Sequence, residues 1–151
     1  MTLKNTNASI RIKSWVDNDG EVTQMDILAD ARYEYKNGKY YILYEETGFS
    51  EMRGSTTTIK VEENGGKVWV KRTGAMNSVM CYEVDKKHSC VYNFDFGSIT
   101  METEAKKIDA NLDENGGELD MIYRLDMGAA KSENHLNISI NKENTDEKNN
   151  N

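Results

Sequence analysis

Residues 40–74 constrain this chain more than any other stretch. They read as three strand-like runs in a row. The first is Tyr40-Tyr41-Ile42-Leu43-Tyr44-Glu45-Glu46, broken at Gly48. The second is Ser55-Thr56-Thr57-Thr58-Ile59-Lys60-Val61, turned back at Asn64-Gly65-Gly66. The third is Lys67-Val68-Trp69-Val70-Lys71-Arg72-Thr73, ended by Gly74. β-Branched and aromatic residues suit a pleated, half-buried surface, and glycine and asparagine punctuate it.

The flanking sequence continues in the same manner. In residues 9–17, Ile10, Ile12, Ser14 and Val16 share one face, and Arg11, Lys13 and Trp15 the other. That is a period-two strand with one buried side. Asn18-Asp19-Gly20 turns it. Residues 21–35 carry Met25, Ile27, Leu28, Ala29 and Ala31, compatible with a helix or a bent strand; an irregular strand is the expectation. Asn37-Gly38 marks a type I′ hairpin turn, because both positions accept positive φ. Gly48 to Gly54 is expected to be a loop.

Residues 78–84 and 89–96 suggest a hairpin around Asp85-Lys86-Lys87-His88, with Gly97 closing the second strand. Residues 98–105 place Ile99, Met101, Thr103 and Ala105 inward. Lys106-Lys107 breaks the parity before Ile108, Ala110 and Leu112 resume it, which is the signature of a β-bulge in a long strand. After Gly116-Gly117, Leu119, Met121, Tyr123 and Leu125 alternate with polar partners. Leu136, Ile138 and Ile140 mark the last strand. About nine or ten short, regularly spaced strands point to an all-β sandwich or barrel. The chain has no proline to blunt an edge strand, which favours closure. The domain is expected to span residues 8–141, between a flexible 1–7 and a disordered polar tail at 142–151.

The 151 residues suit one domain with a full core, and the net charge is -7. An acidic surface repels phosphate backbones and anionic lipid, so neither nucleic acid nor membrane is an expected partner. The first residues lack an apolar signal core, and no run is long enough to span a bilayer. A cytoplasmic location is the expectation. The two cysteines, Cys81 and Cys90, are then two reduced thiols. A hairpin turning at Asp85-Lys86 would instead place them opposite one another, within reach of a cross-strand bridge.

Catalytic signatures are missing. There is no Gly-rich phosphate loop, no Gly-x-Ser-x-Gly elbow, no His-Glu-x-x-His and no Cys-x-x-Cys. His88 reads as an exposed turn residue and His135 as an outward residue of the last strand, so no metal or other cofactor is expected. Asp113, Glu114 and Asp120 read as a solvated rim.

Arg72 shares its parity with Val68 and Val70, which turns it inward near a strand end. A buried arginine needs a partner. Tyr44 and Glu46 share one parity on an earlier strand and could supply it. Two readings stay open: an internal Arg-Glu pair that fixes closure, or a barrel-mouth site that holds a ligand carboxylate by charge-assisted hydrogen bonds. Trp15 and Trp69 fall on the opposite phase from the aliphatic residues of their strands. They suit a protein partner or a homodimer, or lie under a covering segment.

Taken together, these motifs resemble a known family. Tyr40-Tyr41, Tyr44-Glu45-Glu46-Thr47-Gly48, Thr56-Thr57-Thr58-Ile59-Lys60, Val70-Lys71-Arg72-Thr73-Gly74, Asn93-Phe94-Asp95-Phe96-Gly97, Ile122-Tyr123-Arg124-Leu125 and Asn137-Ile138-Ser139-Ile140 look like the YwiB-like family of small bacterial proteins. The resemblance covers about residues 8–140. It implies a closed antiparallel calycin-like barrel, similar in shape to lipocalins and fatty-acid-binding proteins. Where that family tends to show Pro-Tyr-Gly, this chain has Asp95-Phe96-Gly97.

The expected function is a non-enzymatic barrel that binds a small, partly apolar ligand in its interior. Tyr44, Glu46, Arg72 and Tyr123 are the candidate ligand-binding residues. The alternative is an interaction or homodimerising module with a filled interior, using Trp15 and Trp69.

Overall fold

Every apolar alternation in the sequence becomes a strand. A computed structural model describes residues 5–46, 54–75, 77–94 and 97–143. Ten strands follow in chain order: β1 (Ala8–Asn18), β2 (Glu21–Lys36), β3 (Lys39–Glu45), β4 (Ser55–Glu62), β5 (Val68–Gly74), β6 (Ser78–Tyr82), β7 (Lys87–Phe94), β8 (Gly97–Asp113), β9 (Gly116–Asp126) and β10 (Lys131–Lys142). They form one antiparallel sheet in the order β6-β5-β4-β3-β2-β1-β10-β9-β8-β7. Sequence neighbours pair in ladders except β6 and β7, which end the order, and β1 pairs with β10 to join the two halves.

The sheet curls until β6 and β7 meet. That seam is sparse. Asn77 bridges Asn93, Glu83 bridges Lys86, and Val84 lies beside Ala105 of β8. The Thr103 hydroxyl donates to the carbonyl of Cys81 at 2.6 Å, and the amide of Asp85 donates to the carbonyl of Ala105 at 3.0 Å. The result is a nearly closed ten-stranded barrel.

Inward residues follow the expected phases. Ile10, Ile12, Ile42, Ile59, Val61, Val68, Val70, Met101, Leu119, Met121, Ile138 and Ile140 are all buried. Residues 21–36 form one continuous strand rather than a helix. The register of β8 against β9 shifts between Ala105 and Lys107, so the parity break is a bulge. Asn37 and Gly38 both have positive φ, 53° and 76°, as a type I′ turn requires.

One end of the barrel is plugged. The Tyr33 and Tyr40 rings stack with centroids 6.0 Å apart, and the Tyr33 hydroxyl donates to the carbonyl of Asp113 across the interior at 2.7 Å. Burial raises the Tyr33 pKa, so that phenol keeps its proton. The other end is looser. Residues 21–31 of β2 pair with β1, while β3 pairs only with residues 32–36 of that strand. Val22 and Leu28 stand 55% and 76% exposed along this stretch.

Several boundaries differ from expectation. The β6–β7 turn is centred on Val84-Asp85 rather than on the expected 85–88, or on the Asp85-Lys86 that a cross-strand bridge would need, and Glu83 faces Lys86. This shift removes Cys90 from the position opposite Cys81; Cys90 faces Met101 of β8 instead, and both thiols are free. Gly97 opens β8 rather than closing β7. Asn7 is anchored, exchanging two side-chain hydrogen bonds with the backbone of Tyr33 at 2.9 and 2.7 Å. Lys142 pairs with Ala8, so β10 runs one residue past the expected domain edge. The expected loop from Gly48, Asp95-Phe96 and most of the polar tail lie outside the described residues.

Candidate functional site

The register of three consecutive pairings sets the site. Tyr44 of β3 faces Thr57 of β4, Thr57 faces Arg72 of β5, and Arg72 faces Ser78 of β6. All four share the inward phase, so they form one row across the wall. Glu46 follows β3 on the same parity and is held by the backbone bond from its amide to the carbonyl of Ser55, 2.9 Å.

Two of the expected site residues form an ion pair. Arg72 Nε lies 3.8 Å from Glu46 Oε1, with the side chains only 16% and 11% exposed. That distance is an ionic contact, not a hydrogen bond. Glu46 Oε1 instead accepts from the Thr57 hydroxyl at 2.8 Å. Arg72 Nη1 donates a long bond of 3.4 Å to the Tyr92 hydroxyl, and its buried Nε–H has no hydrogen-bond partner. A guanidinium offers five donors, so this one is buried, charged and under-satisfied. Burial works against its charge, but the surrounding phenols and the Glu46 carboxylate hold its pKa above the ordinary value.

A ring of tyrosines surrounds it. The Tyr82 and Tyr123 rings meet from β6 and β9 at 4.6 Å and 58°. Burial raises the pKa of Tyr44, Tyr82 and Tyr123. All three remain neutral phenols, each able to donate and to accept.

Tyr44, Glu46 and Arg72 of this row line a cavity of about 550 Å³ at the looser end of the barrel. Its walls are mainly apolar: Ile12, Val16, Met25, Ile27, Ile59, Val70, Met80, Met101, Leu125 and Met127, with polar groups at Tyr44, Glu46, Arg72, Tyr82, Tyr92, Tyr123 and Asn134. The structure therefore brings Tyr44, Glu46, Arg72 and Tyr123 onto one cavity. Tyr82, Tyr92 and Asn134 join them and were missed in the sequence. The signal for Tyr82 was available, since it follows the inward Met80 by two positions. Tyr92 needed the correct β6–β7 turn.

Trp15 and Trp69 do not form one patch. They lie on β1 and β5, four strands apart in the sheet order, and both are half-buried. Trp15 packs on His135 with centroids 4.8 Å apart. Lys60 Nζ sits over the Trp69 ring at 4.3 Å. His135 Nε2 donates to the Asp120 carboxylate at 2.8 Å, and Asp120 also contacts Asn137 and Lys107; it is a tied residue rather than part of a solvated rim. Nor is His88 an exposed turn residue. It is half-buried in β7, with Nε2 2.9 Å from Glu83 Oε1.

A ten-stranded antiparallel barrel with a charged pair set into an apolar cavity defines the class of protein. The chain belongs to the family described as a domain of unknown function (DUF1934), which matches residues 10–138. It is 29% identical over 140 residues to the uncharacterized beta-barrel protein YwiB of Bacillus subtilis (strain 168), covering 91% of this chain and 94% of that protein. The crystal structure of the ywiB protein from Bacillus subtilis superposes with a TM-score of 0.82 at 24% identity, covering 92% and 93% of the two chains. That likeness carries the fold. Among the described residues no helix is long and apolar enough to cross a membrane.

Proposed function

We propose that this protein is a non-enzymatic, calycin-like binding protein that takes a small, mostly apolar molecule into the open end of its barrel. The ligand presents a hydrogen-bond-accepting head, such as a carboxylate, to Arg72. One observation carries the reading: a buried guanidinium with an unpartnered Nε–H faces an apolar cavity of about 550 Å³, within the ~300–1,000 Å³ typical of ligand pockets. Leaving a buried donor unmade costs about 1–3 kcal/mol, and an accepting ligand would recover that cost. Neutral Tyr44, Tyr82 and Tyr123 can adapt as donors or acceptors around the same head.

Glu46 shapes the choice of ligand. It already neutralises Arg72, so a fully anionic head must share the guanidinium with a carboxylate. The rest of the ligand is selected by methionines and aliphatic residues, whose flexible side chains tolerate varied shapes. An interior of this volume also argues against the alternative of an interaction module with a filled barrel. Two free thiols support a reducing, cytoplasmic setting.

The test is mass spectrometry of the protein purified gently from its own cells, native against denatured. An excess mass that is lost on denaturation, and absent from an Arg72→Ala chain, is the expected result. A bare wild-type chain that also fails to bind a fluorescent apolar carboxylate would overturn the proposal.

A further inference from the structure

On the wall behind the cavity, the β6–β7 turn gathers a second set of groups. Cys81 and Glu83 are two residues apart and share one side of the extended chain. His88 reaches them from β7. One donor atom of each, a thiol sulfur, a carboxylate oxygen and a ring nitrogen, lies within 4.8 Å of the others. All three residues are partly sheltered from solvent.

We propose that Cys81, Glu83 and His88 form a binding site for a zinc-type divalent cation. The donor set is the argument for the class. Thiolate and imidazole suit a borderline-soft ion, whereas calcium and magnesium take oxygen ligands. The geometry needs little change. Two donors bound to tetrahedral zinc at ~2.0–2.1 Å stand about 3.3 Å apart, and the imidazole and carboxylate already stand 2.9 Å apart. A thiolate and a carboxylate balance the charge of the ion. Three protein ligands leave a fourth position for water, as in open zinc sites.

Two lysines compete for the site. Lys67 Nζ and Lys86 Nζ each lie 3.3 Å from a Glu83 oxygen. Both are tethered on flexible stems. Lys67 also reaches the face of Trp69, 5.3 Å from the ring centroid, and can withdraw there. Their repulsion keeps the affinity moderate, and removing one should strengthen binding. That sign distinguishes metal capture from a purely structural role for Glu83, which would lose a partner. The ion would also staple β6 to β7, where the wall is held by isolated bridges.

The full-length reduced chain, stripped of metal, is titrated with zinc by calorimetry and with cobalt by absorption spectroscopy. One equivalent binds, a thiolate-to-cobalt charge-transfer band appears, and zinc raises the unfolding temperature by mass action. Cys81→Ser abolishes the band, and Cys81→Ser and His88→Asn each weaken zinc by roughly 100-fold or more, exceeding what loss of an outer-shell partner does. Cys90→Ser binds as the parent does, and Lys67→Ala binds several-fold tighter. A parent chain that takes up no zinc, uptake that survives both ligand substitutions, or a Lys67→Ala chain that binds no tighter overturns the proposal. If Cys81→Ser does not fold, His88→Asn decides alone.

Discussion

Replacing Arg72 by methionine tests how the cavity balances its charges. The two charges are 3.8 Å apart, and at an effective dielectric of about 20 their gross attraction is about 4 kcal/mol. Bringing both out of water costs several kcal/mol, so the pair as a whole is close to neutral for stability. Removing one partner is different. Arg72→Met leaves Glu46 with the Thr57 hydroxyl as its hydrogen-bond donor in a site 11% exposed. A fully buried pair would lose about 3–5 kcal/mol. Here the cavity opens to solvent and the carboxylate can recruit water, so the expected loss is about 2 kcal/mol by the same reasoning. Glu46→Gln leaves an unpaired guanidinium and should cost about as much. The double substitution leaves neither charge, so its cost should fall short of the sum by about 1–2 kcal/mol. Urea unfolding at neutral pH measures all four chains, with unchanged m-values confirming that the folded states compare. Additive single losses, within about 0.5 kcal/mol, would show that the charges do not interact, and the assignment of Glu46 as the counter-ion would be wrong.

The other expectations concern the frame. Gly117 has φ of +132°, and a Cβ there would stand 2.0 Å from the carbonyl oxygen of Asn111; Gly117→Ala should lose about 3 kcal/mol or more in urea unfolding, and a loss below about 1 kcal/mol would contradict the β8–β9 register. Although burial alone would raise it, hydrogen bonds from Asn137, His135 and Lys107 hold the Asp120 pKa below its ordinary 3.8. The folded state binds that proton less readily than the unfolded chain, so Asp120 contributes stability that is present above about pH 4 and is lost as the pH falls through the lowered value. Asp120→Asn should therefore flatten the acid limb of the pH–stability curve; an unchanged limb would refute the network. Two thiols should react with Ellman's reagent in the unfolded, never-reduced chain, whereas none would indicate a bridge between Cys81 and Cys90.

Much of this fold was legible because an antiparallel meander writes itself locally. Consecutive strands pair in ladders except β6 and β7, so alternation and turn residues suffice for β1, for β3 to β5 and for β9 and β10, while residues 21–35 were compatible with a helix as well. Parity also turned Tyr44, Glu46, Arg72 and Tyr123 inward before any three-dimensional information. The seam was harder to read. Its register depends on a two-residue turn, and a shift of one position moves every side chain to a new partner. Asp85 adopts positive φ, 61°, which an Asp tolerates but does not announce. A turn one residue later would set Cys81 against Cys90, and a loop over 85–88 would leave His88 in solvent; the closure observed does neither.

The same closure explains why the two polar sites differ in visibility. The Arg72 row lies within regular ladders, where position alone gives direction. Cys81, Glu83 and His88 converge only through the irregular closure of β6 on β7. A charged arginine in an inward phase is a local anomaly that needs an explanation. A cysteine, a glutamate and a histidine near lysines are individually ordinary surface residues, and become a site only by proximity. The two sites share one structural element. Tyr82, between Cys81 and Glu83 in the chain, faces the cavity while its neighbours form the cluster on the wall. An ion that fixed those neighbours would also fix the ring that packs on Tyr123 beside Arg72. Zinc should therefore change the affinity of the cavity for an apolar carboxylate in the parent chain and leave it unchanged in His88→Asn.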